Sequence, residues 1–385
     1  MAIISTLLLA GCGAETKTGS NGTGRAPDSP DPTVASGPLN GLGPLDIGGA
    51  NLQESGTAVL INADFRTGTD DLRLGMTANA NGSASITSGS GTANGTVAQS
   101  LVRAPVAMVD SASQTITVLG QNFRADQNTL FEGAESLAQI VVGDDVEAFG
   151  MTRPGAQFQA TRIIVRRPAT GRVELLGTLD SIMGGTAQVR GINVNVTNAQ
   201  LSLTSPTGIA TSTSSTLAAG TLARFIGTLN PATGAVTATS VISSLAPARA
   251  EGDVVFLEGF VVEPPASGRF RIADLEVDPG GVALFPGSVG VGTRLKVRGK
   301  MRGGIMRAES AEIIAAASAI EYSLEGVISN YTTTSAFTVR GERIDASQAA
   351  FRVGSASNLA NGLTVRVKGR SANGKLLARE VAFLN

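Results

Sequence analysis

The sequence predicts an all-β chain folded as small closed barrels in tandem, and three observations carry that prediction. Its 385 residues include 48 glycines, nearly double the usual rate. Each glycine costs a helix about 1 kcal/mol relative to alanine, so few uninterrupted helical windows remain. Hydrophobic residues make up 42% and charged residues only 16%, a balance that suits many short half-buried strands. Finally, one spacing, glycine followed by six residues and a second glycine, recurs along most of the chain.

The first element is an address. The chain opens "MAIISTLLLAGCGAETKTGS", an apolar run from Ala2 to Ala10 that closes on Leu9-Ala10-Gly11-Cys12. The run falls far short of the roughly 20 residues that span a bilayer. It resembles the lipobox of bacterial lipoproteins, and the resemblance implies a signal peptide over 1–11 and an acylated N-terminal Cys12 that anchors the protein in a membrane. No Lys or Arg precedes the run, which departs from the usual basic leader. Gly13, where some lipoproteins carry Asp, implies by the same resemblance an outer-membrane location in the bacterial envelope, on its periplasmic or outer side. Residues 12–40 are dominated by Ser, Thr, Gly, Pro and Asp. Such a segment buries too little surface to offset its conformational entropy, so it is expected to be a disordered tether.

Beyond it come five copies of one unit, over 41–102, 103–167, 168–248, 249–317 and 318–385. The frame appears at Gly75/Gly82, Gly143/Gly150, Gly220/Gly227, Gly292/Gly299 and Gly362/Gly369. Ahead of each later frame lie hairpin-like pairs such as "PVAMVDSASQTITVLGQNF" and "SLEGVISNYTTTSAFTVRGERI". A short segment follows, "NTLFEG" in the second unit and "VALFPG" in the fourth. The framed strand then sets apolar residues at alternate positions, Val146 and Ala148, Ala223 and Phe225, Leu295 and Val297, Val365 and Val367. That period of two points one face inward. A closing strand begins at Ala160, Ala238, Ala308 and Ala378. The first unit is degenerate: "NGSASITSGSGTANG", Asn81 to Gly95, replaces a clear closing strand, and its Gly89–Gly95 part reads as a flexible loop.

Five strands in about 70 residues make a sheet too small to leave both edges free, so closure into an OB-like barrel is expected. The framing glycines should mark bends or close backbone approach. The period exceeds that of ordinary solenoids, so five successive barrels, packed edge to edge as a rod, are expected over one continuous β-helix. The pattern "APVAMVDSASQTITVLGQNF…NTLFEG…LAQIVVGDDVEAFGM…ATRI" resembles the tandem β-repeats of bacterial domain-of-unknown-function family 5666. The likeness is closest over Arg103–Arg167 and looser in the third unit, which a Ser/Thr-rich insertion over Ser202–Thr216 lengthens. It implies a fold and an envelope compartment and supplies no catalytic residues.

Composition narrows the chemistry. With no histidine and a single cysteine, Ser-His-Asp and Cys-His nucleophile schemes, Cys/His zinc sites and internal disulfides are all excluded. No cofactor or metal is expected. Net charge is −1, split as −4 over 1–248 and +3 over 249–385. The excess concentrates on Lys296, Arg298, Lys300 and Arg302 and on Arg366, Lys368 and Arg370, which alternate with inward residues and share one outward face. Two readings fit: an anion-binding groove for an envelope polymer, or a solvated strand face guarded by charge. Nucleic acid is disfavoured, because the chain has no Trp and only two Tyr for stacking. Asp70-Asp71 and Asp144-Asp145 read as polar loops before Ca²⁺ ligands, and Glu258 and Glu325 lack evident partners for acid–base work. The expected function is a non-enzymatic cell-envelope lipoprotein, a multi-barrel binding or structural module for an envelope polymer or protein partner. Its alternatives are a subunit of a secretion or surface-polymer assembly completed by strand addition, and a carboxylate-dependent envelope hydrolase.

Overall fold

A computed structural model describes residues 30–384 except 55, 206–207, 211–216, 231, 244–247, 267, 281–288 and 317. The expected signal peptide, Cys12 and residues 12–29 of the expected tether therefore lie outside the described residues, as does the "VALFPG" segment. The only helical elements among the described residues are three single 3-10 turns, at Thr69–Asp71, Leu137–Gln139 and Ala356–Asn358.

The strands form five barrels of one design. In barrel 2 the five ring strands are Val102–Asp110, Thr115–Val118, Gln121–Arg124, Asp145–Arg153 and Gln157–Arg166. The first pairs with the second and the second with the third, the third runs parallel to the fifth, and the fourth joins the fifth back to the first. The ring order 1-2-3-5-4-1 closes the sheet, as expected for an OB-like barrel. Barrels 1, 3, 4 and 5 repeat it with first strands at Asp31–Leu42, Arg172–Met183, Val254–Ala266 and Tyr322–Thr333 and fifth strands at Ser90–Ala98, Val236–Ser243, Ile305–Ile314 and Lys375–Phe383. A short strand outside the ring, such as Leu130–Glu132 from "NTLFEG", runs parallel to the far half of the fifth.

The two framing glycines have different jobs. The first adopts positive φ in every copy, and its N–H donates to the first-strand carbonyl of Leu39, Val106, Leu179, Val261 or Ile328 at 2.8–2.9 Å. It opens the fourth strand where an L side chain would be strained. The second faces a β-bulge: the register slips by one at Gly82, Gly150, Gly227, Gly299 and Gly369, leaving one extra residue on the fifth strand. There a Cβ would sit 1.9 to 2.4 Å from the opposing carbonyl oxygen. Bulges of this kind sharpen the bend that closes a small barrel.

Three expectations need correction. Residues 31–40 are not tether: Asp31–Leu42 is the first strand of barrel 1, with Val34, Ala35 and Leu39 buried. Its composition of small residues, which reads as disorder, suits a strand packed on both sides. Likewise Asn81–Gly95 does not lack a closing strand, and Gly89–Gly95 is not a flexible loop, because Ser90–Ala98 pairs with Thr77–Ala84 across a full register. At Gly91 a Cβ would meet the Ser83 carbonyl oxygen at 1.9 Å, so the glycines permit the approach.

The barrels do not form a rod. Each first strand is long and bent; its N-terminal half pairs with the fourth strand of its own ring and its C-terminal half with the second. The N-terminal half therefore keeps one open edge, which another barrel's first strand occupies. Thr33–Ser36 runs parallel to Val254–Leu257 and Val102–Arg103 antiparallel to Glu174–Leu175, while the N-terminal half of barrel 5's first strand, Ser323–Leu324, runs parallel to the C-terminal end Gly41–Leu42 of barrel 1's. Barrel 1 thus joins barrels 4 and 5, which follow it by two hundred residues or more, into one 18-stranded sheet, and barrels 2 and 3 share another of 13 strands. The cores merge accordingly. Leu39, Leu72, Leu324, Phe337 and Val367 belong to one cluster spanning barrels 1 and 5, and Val102, Phe123, Leu175 and Phe225 to one spanning barrels 2 and 3. Burial of apolar surface at about 25 cal/mol per Å² rewards this clustering over an extended string.

Candidate functional site

The seven cations singled out by the sequence do not form one continuous surface. Those of Arg294–Arg302 turn toward barrel 1. Lys300 pairs with Asp31 at 3.1 Å, and Arg298 donates to the Thr87 carbonyl at 2.7 Å. Lys296 acts on half-buried Asp46: burial pushes that carboxyl up, and Lys296 pulls it part of the way back. Arg302 lies 3.5 Å from Glu251, and on barrel 5 Arg366 pairs with Glu325. Lys296, Lys368 and Arg370 make no hydrogen bond or ion pair among the described residues, and of these Lys368 and Arg370 also lack a carboxylate there on which they act; Arg370 is exposed.

The carboxylates are similarly committed. Asp71 lies 3.3 Å from Arg66. Asp144 takes two hydrogen bonds from Arg167, which hold its carboxyl below the usual range. Asp145 is buried, which by itself would raise its carboxyl, but the Arg103 guanidinium at 2.9 Å and the Thr170 hydroxyl bring it below normal. Glu258, fully buried, accepts from Arg294 and from Asn40 of barrel 1. No group of three or more His, Cys, Asp or Glu able to hold a metal occurs among the described residues.

Sequence reasoning missed the charges at the barrel junctions. Arg162, on the fifth strand of barrel 2, is almost wholly buried where barrels 1, 2 and 5 meet. Its Nη1 donates to Glu342 of barrel 5 at 2.8 Å and to the Leu74 carbonyl of barrel 1 at 3.0 Å, while Nη2 reaches Glu132 at 2.5 Å. Burial would lower the guanidinium, yet the two carboxylates raise it overall. Arg224 of barrel 3 is also fully buried, bonded to Glu174 at 3.1 Å and to the Ser100 carbonyl at 2.8 Å. Arg340 of barrel 5 grips Glu54 of barrel 1 through two bonds, of 3.1 and 2.7 Å. Asn128 of barrel 2 takes the Tyr322 hydroxyl on its carbonyl and the Ile320 N–H on its side chain. One signal was visible: Arg340-Gly341 and Arg190-Gly191 occupy matching two-residue turns between second and third strands, with positive φ at both positions.

Three cavities lie between barrels among the described residues; that of about 440 Å³ is walled by residues 119–121 of barrel 2 and 190–193 of barrel 3, and the remaining two carry more charge. One, of about 410 Å³, is walled by Arg66, Arg103 and Arg166 facing Glu132, Glu147 and Glu174. Most of its charges are paired, Arg166 with Glu147 at 2.6 Å and Arg172 with Glu174 at 2.7 Å. The other, of about 570 Å³, opens where barrels 1, 2, 3 and 4 converge. Leu101, Met151, Leu176, Leu257 and Phe260 form much of its wall, and Arg190 and Arg249 line it. Arg249 is paired with Asp274 at 2.8 Å. Arg190 has no such ion pair; its guanidinium lies 4.6 Å from the centre of the Phe158 ring, and Nη1 is buried without an acceptor among the described residues. Burial pulls this guanidinium down to about 10, and Asp180 offsets only part of the fall.

Two segments of the chain, residues 103–164 and 325–382, match the family described as a domain of unknown function, DUF5666. They cover barrel 2 and barrel 5 from first strand to fifth. No curated protein matches the chain. The resemblance is thus to a fold unit, and barrels 1, 3 and 4 repeat the same ring order.

Proposed function

We propose that the protein is a non-enzymatic cell-envelope lipoprotein, tethered through Cys12, whose five-barrel body is a binding or structural module for an envelope polymer or a protein partner. The observation that carries this reading is the use of charge. Arginines and carboxylates that would otherwise be candidates for chemistry are bonded to one another across the barrel junctions, as in Arg162 with Glu132 and Glu342. A carboxylate held ionised by an arginine is a poor general acid, which weighs against the hydrolase alternative. Closed rings and occupied first-strand edges offer little template for an added strand, which weighs against the assembly alternative. A body of edge-joined barrels on a lipidated leader suits a part that presents a surface.

Two measurements test the reading. Labelling with a radioactive fatty acid should mark the full-length chain, and Cys12→Ser should abolish the label and release the protein from the membrane fraction. An unlabelled, soluble wild type would sink the lipoprotein assignment. For an anionic envelope polymer, binding of the full-length chain to heparin and lipopolysaccharide should fall with rising salt and drop several-fold in Lys368→Gln/Arg370→Gln, the pair of neighbouring cations on barrel 5 without an ion pair among the described residues. Equal retention of variant and wild type would move the partner surface elsewhere.

A further inference from the structure

We propose that the cleft at the junction of barrels 1, 2, 3 and 4 binds a small amphipathic molecule, its anionic headgroup on Arg190 and its apolar body against Leu101, Leu176 and Phe260. The inference goes beyond the envelope reading and does not depend on the compartment.

Size and setting agree. At about 570 Å³ the cleft falls inside the roughly 300–1,000 Å³ of small-molecule sites, which favour domain junctions and combine apolar walls with a few polar groups. Leu101, Leu176 and Phe260 are each less than a tenth exposed yet line the opening. Among the charges of the cleft, Arg249 is matched by Asp274 and Glu258 by Arg294. Asp180 is the acidic group that acts on Arg190, and no carboxylate comes within ion-pair distance of it among the described residues. Arg190 is therefore a partly buried cation whose Nη1 is enclosed without an acceptor among the described residues and whose counter-charge is incomplete. A ligand oxyanion supplies both the acceptor and the missing charge, and a guanidinium fork favours carboxylate or phosphate geometry.

The matching turn of barrel 5 shows the contrast. There Arg340 occupies the same turn position but is satisfied by Glu54 of barrel 1. Arg190 is the copy of that arginine that has no carboxylate partner among the described residues.

Isothermal titration of the full-length chain tests the proposal, with decanoate and decyl phosphate as probes below their micelle concentrations. Decyltrimethylammonium and inorganic phosphate serve as controls. At least one anionic amphipath should bind at one per chain, and comparing the two separates a carboxylate site from a phosphate site. Arg190→Gln should weaken that binding about tenfold or more, as loss of a charge-assisted bond predicts. Thr178→Trp, which places bulk in the cleft from an exposed strand position and keeps Arg190, should abolish binding without changing the melting temperature. The proposal fails if neither anionic amphipath binds, if the cationic one binds as well, if inorganic phosphate alone matches decyl phosphate, or if both folded variants bind like wild type.

Discussion

Gly299 shows how one residue type can carry the repeat. A Cβ there would lie 2.0 Å from the Arg307 carbonyl oxygen, and the backbone of a bulge has little room to retreat. Gly299→Ala should cost about 1–3 kcal/mol by overpacking, whereas Gly290→Ala, with nothing within 4 Å, should change stability by less than about 0.5 kcal/mol. Thermal or urea melts of the two variants compare them directly. The buried Arg162 makes a larger demand. Arg162→Met leaves Glu342 beside the Leu74 N–H with its cation gone, an unpaired buried charge worth about 3–5 kcal/mol. Adding Glu342→Gln should restore much of the loss. Acid should act on the same network. Burial raises Glu132 and Asp145, but Arg162 and Arg103 outweigh it, so both carboxyls end below their ordinary values. A carboxylate depressed in the folded state contributes stability that is present above the unfolded pKa, about 4, and is lost as pH falls through the lower folded value. Urea midpoints should therefore drop as pH falls below about 4, less steeply in Asp145→Asn.

At the scale of the element, the first strand decides most. Asp31–Leu42 reads as linker because Pro, Ser, Gly and Ala dominate it, yet it closes barrel 1 and pairs with the first strands of barrels 4 and 5. Large side chains would hold those sheets apart. At Gly37 an added Cβ would touch Glu258 Cβ at 3.0 Å, and at Gly43 it would touch Glu325 Cβ at 2.8 Å. Deleting 31–42 should therefore do more than shorten a tether. Hydrogen exchange should show protection lost across barrel 1 and along Val254–Leu257 and Ser323–Leu324, while barrels 2 and 3 keep theirs. Unchanged exchange in barrels 4 and 5 would refute the shared-edge account. The same edges explain why the framed strands of different copies are buried differently. Asp145–Met151 is buried on both faces because the neighbouring barrels cover it, whereas in Thr364–Arg370 every second residue up to Arg366 is exposed.

At the scale of the molecule, five copies of one ring became one body because non-neighbouring copies adhere. Separating barrels 4 and 5 from the rest, as residues 249–385, removes barrel 1 from both first strands and cuts the pairs Lys300–Asp31 and Arg340–Glu54. That fragment should melt well below the intact chain, by calorimetry, although each ring retains its own strands. The unit itself was legible in the sequence. Alternation of apolar residues is a local property, and the glycine frame is demanded by the bulge and turn that close each ring, so both repeat wherever the ring repeats. Which edges meet, and which charges are buried there, was not legible. Arg162 and Glu342 lie 180 positions apart, and Asn40 and Glu258 lie 218 apart, so nothing in the neighbourhood of either names the other. A cation that alternates along a strand looks solvated from sequence, and packing of a second barrel turns Lys300 into an interface contact and leaves Arg370 exposed. The sequence by itself determined the barrel, its number and its closure, through short-range sterics and period. Only the tertiary structure decided their arrangement, the paired seams and the unmatched Arg190, because those depend on surfaces brought together after each ring has closed.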